Sequence, residues 1–134
     1  MNDKVVLEVA EQEFQRFLDE MDIEANESEM DEEDLKSFKL EKSKVIKAIQ
    51  KGSLVINDEG LPIFTPKKGD SGPITFYEPT GASLMAMDKR KKNEDFSKFY
   101  SVLGDITKTD AKTFSKLKMS DLRVCMAIGT LFLA

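Results

Sequence analysis

The sequence predicts a mainly α fold, a small helical domain with a short β-hairpin as its minor component, on three observations. Apolar residues recur at spacings of three and four at both ends of the chain, with plausible caps before them. One central stretch, Leu54-Val55-Ile56, Asn57 to Gly60, then Leu61 to Phe64, has the look of a hairpin. At 134 residues the chain has room for one real core and little more.

Val5, Val6, Leu7 and Val9 favour a strand or lead-in, and Phe14, Phe17, Leu18 and Met21 then fall on one stripe of a short helix. From Asp22 to Asp34, Glu, Asp, Asn and Ser are interrupted only by Ile23, Ala25 and Met30. Such a composition is too polar to bury itself and reads as a mobile acidic linker. Spaced acids around a central Gly, which a calcium loop needs, are absent there.

Leu35, Phe38, Leu40, Val45, Ile46 and Ile49 continue an amphipathic helix with lysines on its other faces, ending near Lys51 because Gly52 is a natural stop. In the hairpin that follows, Pro62 implies an edge strand, since proline cannot donate to a ladder. Ile74 to Tyr77 form one more short strand before Pro79.

Thr80 can cap a helix carrying Leu84 to Met87, and Asn93 one carrying Phe96, Phe99, Tyr100, Leu103 and Ile106. Thr109 or Asp110 can cap a short helix with Phe114 and Leu117, and Ser120 the last one. On that last helix Leu122, Cys125, Met126, Gly129 and Phe132 trace one stripe, which Val124, Ile128 and Leu131 widen until little polar face remains. The organisation expected is a region 1–52, with its strand, helices and acidic linker at about 22–34, followed by a hairpin and helical unit at 53–134.

Composition narrows the chemistry. With no histidine there is no imidazole base, no Ser-His-Asp triad and no imidazole metal ligand. The lone cysteine, Cys125, sits in an apolar helix and is expected to be a core side chain with a raised thiol pKa. Asp58 with Glu59, and Asp105 with Asp110, fall where turns and caps want Asp on backbone grounds. No enzymatic activity, cofactor or metal is expected. The longest nearly unbroken apolar run, Val124 to Ala134, is about half of the roughly 20 residues a membrane helix needs. Through Asp34 the chain holds 14 acidic and 2 basic residues, whereas the remainder carries a net +7, so the two regions can attract one another.

Met85, Met87, Met119 and Met126 together with Phe96, Phe99, Phe114 and Phe132 make the C-terminal part rich in adaptable apolar side chains. Such surfaces suit capture of helical segments of another protein. The assignment expected is a partner-binding face of Met85, Met87, Val124, Ile128 and Leu131 over a core of Phe96, Phe99, Leu103, Leu122, Met126 and Phe132. The basic run Lys89-Arg90-Lys91-Lys92 offers a nucleic-acid or regulatory adaptor as an alternative, without the interleaved aromatics that single-strand binders use.

At Pro73-Ile74-Thr75-Phe76-Tyr77-Glu78-Pro79-Thr80-Gly81-Ala82, then Leu84 to Asp88, the chain resembles the tail assembly chaperones of long-tailed bacteriophages. The Asp95-Phe96-x-x-Phe99 helix, the stretch GDITKTDAKTFSKLKMSDL and the apolar ending TLFLA are also similar to that family, so the likeness runs from about Ser53 to Ala134. The acidic stretch Glu27 to Asp34 is not a general feature of the family. The resemblance implies a non-enzymatic protein that binds the helical tape measure protein and keeps it soluble until tail tube subunits replace it. It further implies dealings with the tail tube protein and with a frameshifted longer form of the chain itself, a place in the host cytoplasm, and absence from the mature virion. Nucleic acid and membrane are not expected partners; a homo-oligomer is an allowed state. A minor structural subunit of the tail is the remaining alternative, and it would need a larger sheet than these strands supply.

Overall fold

A computed structural model describes residues 4–67, 72–83, 95–109 and 111–133. The chain is mainly helical with one small antiparallel sheet. Helices α1 (Leu7–Glu20) and α2 (Glu32–Lys51) come first, with a 3₁₀ turn at Glu27–Glu29 between them. Strands β1 (Leu54–Ile56), β2 (Pro62–Phe64) and β3 (Ile74–Thr75) form a sheet of order β1-β2-β3. After a helical turn at 81–83 come α3 (Asp95–Thr107), α4 (Ala111–Ser115) and α5 (Met119–Leu133).

Helix α1 buries Ala10, Phe14, Phe17 and Leu18, so the helical stripe prevails over the local strand preference of Val5 to Val9. Val6, Leu7 and Val9 are exposed on the opposite side, and the expected N-terminal strand gives way to helix from Leu7. The lead-in is pinned instead by two backbone bonds, Lys4 N–H and Val5 N–H both donating to the Gln50 carbonyl.

The acidic stretch, expected as a linker, carries a 3₁₀ turn and the cap of α2, and its polar side chains explain both. Asn26 Oδ1 accepts from the Ser28 N–H at 3.2 Å and the Ser28 hydroxyl at 2.7 Å, setting the 3₁₀ turn. Asp31 Oδ1 accepts from the Asp34 N–H at 2.8 Å and caps α2. Glu32, Glu33 and Asp34 then occupy the positive end of the α2 dipole, where negative charge is favourable. At the other end Gly52 adopts φ 81°, a left-handed conformation that glycine takes without a Cβ penalty, and α2 stops there as its sequence predicts.

The hairpin pairs Leu54 with Phe64 and Ile56 with Pro62. Leu54, Ile56 and Phe64 point into the core while Val55 faces solvent. Asn57 shapes the turn, its side chain accepting from the Glu59 and Leu61 N–H groups at 2.9 Å each. The expectation that Pro62 marks an edge is overturned, because β3 pairs with β2 and makes it the central strand. Proline is accommodated as the first residue of β2: its carbonyl accepts from the Phe76 N–H at 2.9 Å, and the ladder ends where its ring nitrogen could not reply.

One core unites the chain. Phe14 and Phe17 of α1, Val45 and Ile49 of α2, the inward faces of the sheet, Val102 and Leu103 of α3, and Ile128 and Leu131 of α5 belong to a single buried cluster. The described residues on either side of Gly52 thus contribute to the same buried cluster. The Phe17 ring meets Phe132 edge-on at 5.3 Å, tying the first helix to the last. Arg16 adds a polar tie, donating at 2.7 Å and 2.9 Å to the Ile56 and Asn57 carbonyls while Glu13 holds it from the same helix.

Candidate functional site

Of the expected partner-binding residues, Val124, Ile128 and Leu131 fall among the described residues, and they differ in exposure. Ile128 and Leu131 are 0% and 2% exposed, buried in the chain's own core. Ile128 is enclosed by the chain itself, whereas Leu131, though almost wholly buried, and Val124 also line surface hollows; α5 is apolar nearly all round, so its sequence alone could not set which stripe turns inward. Ala127 and Gly129 decide it. An added Cβ at Gly129 would come within 2.8 Å of Leu103 Cδ2 and 3.1 Å of Phe99 Cε1, so the glycine lets α5 lie close against α3.

Val124 is half-buried. Leu103 and Leu122 are buried, whereas Phe99, Met126 and Phe132 are only partly buried and pack against the core from its margin. Met126 is thereby moved from the interior to a groove wall. Met85, Met87 and the cluster Lys89 to Lys92 lie outside the described residues, as does the side chain of Phe96.

What the fold builds is a groove along the seam of α2 and α5. These helices run antiparallel: Phe38 and Ser37 lie beside Thr130 and Leu131, whereas Lys44, Lys47 and Lys51 lie beside Ser120 and Arg123. On α2 the lining residues 34, 37, 38, 41, 44, 47, 48 and 51 repeat every three or four positions and so occupy one face. Three hollows follow one another along it.

The first hollow, of about 360 Å³, is walled by Met30, Phe38 and Leu131 with Asp34, Ser37 and Glu41 at its rim. The middle one, of about 480 Å³, shares Glu41 and Thr130 with it and is lined by Tyr100, Met119, Leu122 and Met126. Met119 is 56% exposed, an apolar side chain standing at the lip. The third hollow, of about 230 Å³, shares Lys44 and Arg123 with the middle one and is ringed by Lys47, Lys51 and Lys67.

Asp121 forms the floor of the basic hollow. It is buried in the first turn of α5, where the helix dipole favours a carboxylate, and both its oxygens accept from the Lys67 N–H at 3.2 Å. One turn on, burial and then the Asp121 charge push the Cys125 thiol up to about 12, so it stays protonated and unreactive at neutral pH.

Several other polar groups hold the fold together. Ser83 donates its hydroxyl to Asp105, and the Thr80 N–H donates to Ser83 Oγ, fixing the turn at 80–83 onto α3. Thr80 Oγ1 accepts from the Ala82 N–H at the start of this turn, while the helix expected over Leu84 to Met87 lies outside the described residues. Asp110, considered as the partner of Asp105, lies outside the described residues. Among the described residues no group of three or more His, Cys, Asp or Glu could hold a metal ion, and no helix is long and apolar enough to cross a membrane.

Sequence reasoning missed Met30, Phe38 and Tyr100 as groove residues. The available signal was the single-face repeat on α2, but its partner helix is nearly 80 positions away and only the folded chain brings them together. Comparison with protein-family models, curated proteins and solved structures finds no match to this chain.

Proposed function

We propose that the chain is a non-enzymatic assembly chaperone of the kind that serves long-tailed bacteriophages, holding an apolar helical segment of the tape measure protein until tail tube subunits take its place. The observation that carries this reading is the groove between α2 and α5. Its methionines, Met30, Met119 and Met126, can repack around varied apolar side chains, and Phe38 and Tyr100 supply broad contact area. A long client helix with many unlike apolar turns needs an adaptable receptor of this sort. The order of strand, Pro-Thr-Gly turn and helices from Ser53 onward, which resembles the tail assembly chaperones, supports the same reading. On it the protein acts in the host cytoplasm, meets the tail tube protein and a longer frameshifted form of itself during assembly, and is left out of the finished virion.

Co-expression with a tape measure protein tests it. Wild-type chain is expected to raise the soluble fraction of that protein and to co-purify with it. Met119→Asp and Met126→Asp should abolish both effects while keeping native circular dichroism, and Val55→Asp, on the far sheet surface, should change neither. Undiminished capture by both groove variants would refute the groove as the client site.

A further inference from the structure

The groove is apolar along most of its length but not at its ends. Asp34 and Glu41 stand at the end near Met30, and five cations, Lys44, Lys47, Lys51, Lys67 and Arg123, surround the other. Lys44 lies 3.7 Å from Glu41. Among the described residues the side chains of Lys47, Lys51, Lys67 and Arg123 form no ion pair, and all four are exposed. Asp121 supplies one negative charge at the floor, already occupied by the Lys67 N–H. The hollow therefore presents a surplus of positive charge at the point where the methionine-lined groove opens into it through Lys44 and Arg123.

We infer that the groove takes its occupant in one direction: an amphipathic helix whose apolar face lies on Met30, Phe38, Met119 and Met126, and whose Asp or Glu residues, clustered at its C-terminal end, enter the basic hollow. This inference rests on the reading of the groove as a helix-binding site and adds the chemistry of the ligand. Two effects set the direction. Carboxylates complement the lysines and Arg123, and the negative end of a helix dipole is favoured beside the same cations. The reverse placement would bring the negative end against Asp34 and Glu41. Residues 34 to 51 of α2 span about 26 Å at 1.5 Å per residue, which matches an occupant of roughly 18 residues.

Three fluorescent 18-residue peptides with the same Leu and Ala stripe, ending in three Glu, three Gln or three Lys, distinguish the possibilities by anisotropy with the full chain. The Glu peptide should bind about fivefold to thirtyfold more tightly than the Gln peptide at low salt, and the Lys peptide more weakly than either. The preference should shrink as ionic strength rises. In the variant Lys47→Glu/Arg123→Glu, both positions being exposed, the order of the Glu and Lys peptides should invert. Equal binding of all three to wild type would overturn the inference and leave the groove reading standing; binding of none would overturn both. A thymidine 15-mer that displaces the Glu peptide and needs the same cations would overturn it in favour of nucleic acid. A concentration-dependent dimer lost in the charge-reversed variant would do so in favour of a second copy of the chain.

Discussion

Gly129→Ala is the smallest perturbation that reports on how closely α3 and α5 approach. In an open helix interior this change is stabilising by about 1 kcal/mol, because alanine loses less backbone freedom. Here the new methyl would sit 2.8 Å from Leu103 Cδ2 and 3.1 Å and 3.3 Å from two atoms of the Phe99 ring, against an ordinary carbon contact of about 3.5 to 4.0 Å. Phe99 is only partly buried and can swing outward; Leu103 is fully enclosed and cannot. Overpacking of this kind costs about 1 to 3 kcal/mol. The balance is a loss of about 1 kcal/mol, read as a fall in the urea midpoint with unchanged slope and a drop of about 3 to 5 °C in Tm. Leu103→Ala removes the obstruction, so in that background Gly129→Ala should turn neutral or stabilising, and the double-mutant cycle isolates the clash. A stabilisation by Gly129→Ala in the wild-type background would refute the close approach.

The burial pattern of α5 makes a second prediction: Leu131→Asp and Ile128→Asp should lose native circular dichroism, since an unpaired carboxylate would enter the core, whereas Met119→Asp should keep it. Cys125 should resist a thiol reagent at pH 8 until denaturant is added, and a rapid reaction of the native chain would contradict its burial. Because its folded pKa is raised from 9.0 to about 12, the stabilisation tied to the protonated thiol is full below pH 9 and falls as pH rises through 12; Cys125→Ala should flatten that alkaline decline in thermal melts. Arg16→Met should cost about 1 to 3 kcal/mol by leaving the Ile56 and Asn57 carbonyls without the guanidinium, with fastest hydrogen exchange appearing in the hairpin.

Where a structural decision was local, the sequence carried it. Gly52 after a lysine-rich amphipathic run stops α2, and Asn57 to Gly60 between two apolar triplets turns the chain, because each signal is complete within a few residues. Asn26 and Asp31 were equally local and equally good caps, yet the surrounding acids made the stretch read as solvent-exposed chain. The position of Pro62 depends on β3 arriving from ten residues downstream, so residue preference alone could not place it inside the sheet. In α5 the difficulty is physical rather than statistical: a helix apolar on nearly every side has no phase until something packs on it, and the small side chains at 127 and 129 choose that side. The groove was legible only in halves, as one stripe on α2 and a set of scattered methionines.

The edge-on contact of Phe17 with Phe132 sets a clock on biosynthesis. At translation speeds of about 5 to 20 residues per second, roughly 6 to 23 seconds separate the making of these two rings. Helices and hairpins form in microseconds, so α1, α2 and the sheet are shaped long before α5 exists to cover them. During that interval the apolar stripes of Phe14, Phe17, Val45 and Ile49 stand open on the nascent chain. The chain proposed to shield another protein's helices thus leaves its own apolar stripes uncovered for the time its last helix takes to be made.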